Sequence, residues 1–148
     1  MRNENKFETS NAVFHPPSRD EFVYVVVSTT IGAPHLIHLN GHDFFVIAQE
    51  TRECTDDVPP KLDNPPRRDT AMLPASGYLV MAFQTDNLGA WLMHCHIGWH
   101  TSEGFAMQLV EQADKIAGLT DNNALTSNCD GWKAHSQYVG ILQDDSGV

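Results

Sequence analysis

MHCHIGWH, residues 93–100, is the stretch on which the reading of this chain turns. It holds three histidines and one cysteine in eight positions, alternating with apolar residues. Treated as a strand over 91–97, its side chains alternate between two faces. His94 and His96 then point one way and Cys95 the other. His100 follows the cysteine by five residues, on the next turn.

The same parity applies to HLIHLN, residues 35–40. His38 and Asn40 share a face, and His35 takes the opposite one. The two segments together can present two ligand sets. One is His35, Cys95 and His100. The other is His38, His94 and His96, with Asn40 beside them.

The first set has the composition of a blue-copper site. Two imidazoles and one thiolate give a trigonal field, completed by a weak axial group. The axial candidate is Phe105, ten residues beyond Cys95. A phenyl ring does not coordinate. An apolar wall in place of a thioether disfavours Cu(II) and raises the reduction potential. Such a centre accepts electrons from oxidisable organic molecules. The second set is purely imidazole, and the chain itself joins Cys95 to His94 and His96. An electron reaching the Cys95 sulfur has a short covalent path to a metal held by those histidines.

Outward from these segments the pattern is β. EFVYVVVSTT (21–30) is β-branched and aromatic, the signature of a buried strand. Residues 35–50 read as one strand, with Gly41 as a bulge or point of close approach. Residues 51–69 are charged and proline-rich, a long surface loop. YLVMAFQT (78–85) is a strand after a Pro/Gly turn, and SEGFAMQLVE (102–111) contains the last one. Residues 112–148 are polar, with two weak helical patches around ADKIAGL and DGWKAHSQY. Short strands between Gly/Pro turns predict an all-β fold, a Greek-key sandwich or barrel with short helices only in the tail.

Composition bounds the partners. The 148 residues carry a formal charge of −10, which argues against nucleic acid or an anionic membrane as the main partner. No apolar run approaches a membrane span. MRNENKFETS at the N-terminus lacks an apolar h-region, so no export signal is expected in it. Three cysteines, Cys54, Cys95 and Cys129, allow at most one internal bridge. His15 and His135 read as ordinary structural histidines. A helical zinc pair from His96 and His100 is possible by i, i+4 spacing, but the glutamate of H-E-x-x-H is missing.

HCHIGWH, together with DNPPRRDTAMLP, AFQTDNLGAWLMHCH and SEGFAMQLVE, resembles the C-terminal cupredoxin domain of ascomycete fungal laccases, within the multicopper oxidases. The resemblance runs from about Glu21 to Glu111. It implies a plastocyanin-like domain over 21–111, a loose lead-in at 1–20, and a tail at 112–148 whose terminal DSGV is similar to the C-terminal plug of those enzymes. It further implies copper: His35, Cys95 and His100 as type 1 ligands with Phe105 at the axial position, His38 at type 2, and His94 and His96 at type 3. His100 and Cys95 would carry catalysis, with His100 the contact for a phenolic donor. The implied reaction is successive one-electron oxidation of phenols with O2 reduced to water, in an extracellular enzyme.

Two departures qualify the resemblance. The first motif reads HLIHLNGH where the family has H-P-x-H-L-H-G-H, so Asn40 stands at a type 3 histidine position. A neutral amide is a poor copper ligand. His42 has the right parity but lies about 7 Å further along a strand. In addition, the family builds its trinuclear cluster between its first and third domains, and the eight histidines here do not supply both halves. The expectation is the C-terminal part of a laccase, oxygen-inactive without its N-terminal cupredoxin domains. The alternatives are a single-domain electron carrier and a non-catalytic copper-binding domain. Cys129 is expected to be half of a bridge to the first domain.

Overall fold

The structure is a computed structural model, and it describes residues 12–16 and 18–140. Among the described residues nine strands and three helices follow in chain order: β1 (Val13–Phe14), β2 (Phe22–Ser28), β3 (His35–Leu39), β4 (Phe44–Glu50), β5 (Arg67–Arg68), β6 (Thr70–Leu73), β7 (Tyr78–Gln84), β8 (Gly89–Cys95), α1 (Gly98–Ser102), β9 (Ala106–Glu111), α2 (Ala113–Ile116) and α3 (Asn122–Val139). They form two sheets, ordered β1-β9-β8-β3-β6 and β2-β7-β4-β5. The all-β expectation holds, but helix is not confined to the tail: α1 forms between β8 and β9, where Gly98–Ser102 turn back toward the sheet.

The core lies between the sheets. β3, β6, β8 and β9 contribute Ile37, Leu39, Ala71, Leu73, Met93 and Leu109; β4 and β7 contribute Phe44, Leu79, Met81 and Phe83. β2 shows why a half-buried strand forms here: Val23, Val25 and Val27 pack against the core, while Phe22, Tyr24 and Val26 alternate to the outside. β7, between β2 and β4, is buried almost throughout, as its continuous apolar run demands.

Residues 35–50 are two strands in different sheets, not one strand with a bulge. Buried positions fall at 35, 37 and 39, then shift phase to 42 and 44, and a bulge between Val46 and Ala48 shifts it again to 47. Asn40 and Gly41 make the turn at the slip. Gly41 has φ +75°, and a Cβ there would lie 2.4 Å from the Trp91 ring. The close approach is real and only glycine satisfies it. β5 lies within the 51–69 loop, and β6 precedes the turn before β7. β8 ends at Cys95, so His96 lies just beyond the strand. A short parallel strand, β1, sits inside the stretch read as a loose lead-in and pairs with β9.

The tail carries one longer helix than its weak patches implied. Asp121 caps α3 by accepting from the amides of Asn123 and Ala124 at 2.9 and 3.3 Å. Gly140 closes it in the left-handed conformation. No α3 residue is buried. The DSGV terminus lies outside the described residues.

Candidate metal centre

Register does the assembling. β3 and β8 are antiparallel neighbours, with Ile37 opposite Cys95 and His38 opposite His94. Alternate residues of paired strands share a face. Cys95 therefore lies on the core side with Ile37 and, two residues along β3, His35. His38 and His94 lie together on the outer side.

On the core side three ligand atoms converge. His35 Nδ1 lies 3.1 Å from His100 Nδ1. Cys95 Sγ lies 3.4 Å from His100 Nδ1 and 3.9 Å from His35 Nδ1. His35 and Cys95 are buried. Nitrogen ligands sit about 2.0 Å from a first-row ion and sulfur about 2.3 Å, so two ligands of one ion lie within roughly 4 Å of each other. All three separations meet that condition. Among the described residues this is the one group of at least three potential ligands whose atoms lie within 4.8 Å of one another. Burial, and then the neighbouring His100, hold the His35 imidazole below its ordinary range. The ring is therefore neutral at pH 7, the form that ligates a metal.

Phe105 stacks edge-on against the His35 ring at 5.1 Å, placing a hydrocarbon wall beside the cluster. Trp99 is largely exposed, with its ring centroid 4.1 Å from that of His100. This rim faces solvent, while the thiol is sealed from it.

On the outer side His38, His94 and His96 form a triangle, with ring centroids 5.5, 5.7 and 5.7 Å apart. His38 Nδ1 donates to the Asp69 carbonyl at 2.8 Å. His94 Nδ1 donates to the Cys95 carbonyl at 3.0 Å. Both acceptors lack protons, so Nδ1 of each ring is the donor and Nε2 is the atom left to face a metal. His96 is exposed and lies outside α1, whereas His100 lies within it and belongs to the other cluster. The helical His96–His100 pair does not form.

Asn40 does not substitute for an imidazole. Its side-chain amide donates to the Leu92 carbonyl at 2.9 Å. His42 is no replacement either. It is buried between the Phe83 and Trp91 rings, and its Nε2 lies 2.8 Å from Glu111 Oε1. Burial lowers the His42 pKa, against a smaller opposing pull from Asp86. Burial likewise pushes the Glu111 carboxyl up to about 7, despite the Asn87 amide bonded to it. His42 Nε2 and Glu111 Oε1 lie close, yet neither takes part in a hydrogen bond, and burial disfavours the charged form of each residue.

Sequence reasoning missed Glu111, although the parity of AMQLVE offered a signal: Glu111 shares the core face with Leu109. It also missed Thr101, whose hydroxyl donates to the Cys95 carbonyl. The three cysteines are free thiols, with Cys129 exposed on α3.

Residues 1–115 match the multicopper oxidase family model. Laccase-2 of Botryotinia fuckeliana is 44% identical, covering all of this chain and 27% of that protein. The crystal structure of the Botrytis aclada laccase superimposes with a TM-score of 0.79 at 44% identity, over 98% of this chain and 28% of the other. A multicopper oxidase that functions in iron import gives a TM-score of 0.70 at 26% identity, over 90% of this chain and 26% of the other. The fold is cupredoxin-like, and the chain spans about a quarter of the length of the relatives it matches. With this fold and this sequence likeness, the chain belongs to the multicopper oxidase family, whose members bind copper.

Proposed function

We propose that this chain forms the electron-accepting part of a laccase-like oxidoreductase, with His35, Cys95 and His100 as type 1 copper ligands and Phe105 as the non-coordinating axial neighbour. The observation that carries this reading is the convergence of two imidazole nitrogens and one thiol within 3.9 Å, on the core face of a cupredoxin-like sheet. Copper bound there supplies a one-electron redox couple. The residues around it do the rest. Burial keeps His35 neutral and excludes water from the Cys95 sulfur. His100 and Trp99 form the rim that an aromatic donor can reach.

Cys95 then leads to His94 and His96 through two peptide bonds. We place His38 at type 2 and His94 and His96 at type 3, each presenting part of a cluster completed by histidines of another domain. Their Nε2 atoms are the free ends, because hydrogen bonds occupy Nδ1 of His38 and His94. The overall reaction is the oxidation of phenolic or related aromatic donors, one electron each. Four electrons and four protons reduce O2 to two waters in the longer enzyme. The 21–111 segment is its C-terminal plastocyanin-like domain and 112–148 its tail. We place the enzyme outside the cell, in keeping with the laccase resemblance. Among the described residues no helix is long and apolar enough to cross a membrane.

The test is anaerobic mixing of the copper-loaded chain with a phenolic donor. Its visible colour should bleach with one electron per type 1 copper. A copper-loaded chain that no phenol reduces would refute the donor assignment.

A further inference from the structure

α1 carries His100, yet it is a weak element by itself. It spans five residues, buries none of them, and has no side-chain bond at its N-cap, Ile97. A helical turn this short does not persist in water without tertiary support. Its own bonds are local. The Thr101 amide donates to the Ile97 carbonyl at 3.2 Å, the Glu103 amide to Trp99 at 3.0 Å, and the Ser102 hydroxyl to Gly98 at 3.1 Å.

Thr101 makes the side-chain bond of the turn that reaches back to the strand. Its hydroxyl donates to the Cys95 main-chain carbonyl. That same carbonyl accepts from His94 Nδ1 at 3.0 Å, and the Thr101 oxygen lies 3.4 Å from the same ring nitrogen. One carbonyl oxygen thus joins the end of β8, the His94 ring and the turn bearing His100. A main-chain route runs beside it: the Cys95 amide donates to the Phe105 carbonyl at 3.0 Å and the Phe105 amide to the His100 carbonyl at 2.9 Å, so Thr101 adds the side-chain tie on the other side of His100.

We propose that Thr101 is a positioning residue of the metal centre: its hydroxyl fastens the turn bearing His100 to the Cys95 carbonyl and so sets the approach of His100 Nδ1 to Cys95 Sγ. This rests on reading His35, Cys95 and His100 as copper ligands. Val is nearly isosteric with Thr and lacks the donor. The Cys95 carbonyl keeps its bond from His94, so the substitution strands no buried acceptor. A neutral hydrogen bond contributes about 1 kcal/mol net, equivalent to roughly fivefold in an equilibrium.

The experiment compares Thr101→Val and Thr101→Ser with the parent chain. In the parent, a cysteine-dependent visible band and its paramagnetic resonance spectrum report the copper geometry. Thr101→Val should bind copper about fivefold more weakly and show an altered copper hyperfine splitting. Thr101→Ser should restore both. In the metal-free chain, amide exchange at Glu103 and Gly104 should be about fivefold faster in the Val variant and unchanged in the Ser variant. A Val variant with parental affinity, spectrum and exchange would overturn the proposal. So would a Ser variant that fails like Val, because the methyl group and not the hydroxyl would then be acting. If the exchange pattern appears but the parent shows no cysteine-dependent copper band, the copper reading fails and the fastening role stands.

Discussion

His38 of β3 and His94 of β8 stand directly opposite each other in an antiparallel ladder, one step from the pair Ile37 and Cys95. That single register step separates two chemistries. Cys95 faces the core, and its neighbour in the chain faces out. A one-residue slip of β3 against β8 would exchange the faces and dismantle both clusters. The apolar pattern opposes such a slip, because Ile37 and Leu39 of β3 would leave the core with it.

Asn40 offers a test of the outer cluster. Asn40→His adds an imidazole on the face of His38 and removes the amide bond to the Leu92 carbonyl, at a cost of about 1 kcal/mol in stability. In a Cys95→Ser background, which silences the core-side set, the added histidine should tighten copper binding at least severalfold by equilibrium dialysis. Unchanged affinity would show that position 40 does not reach the outer cluster.

Phe105 tests the axial position. Its ring packs edge-on against His35. Phe105→Met brings a thioether to the same wall, which favours Cu(II) and should lower the reduction potential. Spectroelectrochemical titration measures it. No change, or a rise, would remove Phe105 from that role.

Glu111 makes a prediction about pH. Its folded pKa, about 7, lies above its unfolded value, so the folded state binds more protons between roughly pH 4.5 and 7. Its contribution to stability is therefore full at the acid end and is lost as pH rises through 7. His42 acts in the opposite sense, since its depressed pKa loses stability as pH falls below the ordinary histidine range. Glu111→Gln removes only the first effect. Its stability relative to the parent should improve steadily from pH 5 to pH 7.5 in urea titrations. A difference independent of pH would mean that Glu111 is not held protonated by burial.

Much of the centre was legible in the sequence because parity is a local property. Two short segments with period-two alternation assign His35 and Cys95 to one face and His38 and His94 to the other, and the register pairs Ile37 with Cys95 and His38 with His94. The turn at Asn40 and Gly41 was harder. An Asn-Gly pair is a strong turn signal, but the apolar residues on both sides also suit a continuous strand. The phase shift of the buried positions from odd to even identifies the turn only after burial is known. β1 is two residues long and owes its existence to pairing with β9, which no local pattern announces. α3 was blurred for a related reason: with no buried face it lacks the apolar stripe, and its ends are marked only by Asp121 and Gly140. The Thr101 and Glu111 contacts depend on atoms brought together by the fold.

The most direct measurement is a copper titration of the chain beside its Cys95→Ser variant, read in the visible spectrum. The proposed ligand set requires an intense thiolate-to-copper band in the parent that saturates at one copper per chain. The Ser variant should show no such band. A band that survives Cys95→Ser, or a parent that binds copper without one, would contradict the assignment of His35, Cys95 and His100 as the type 1 centre.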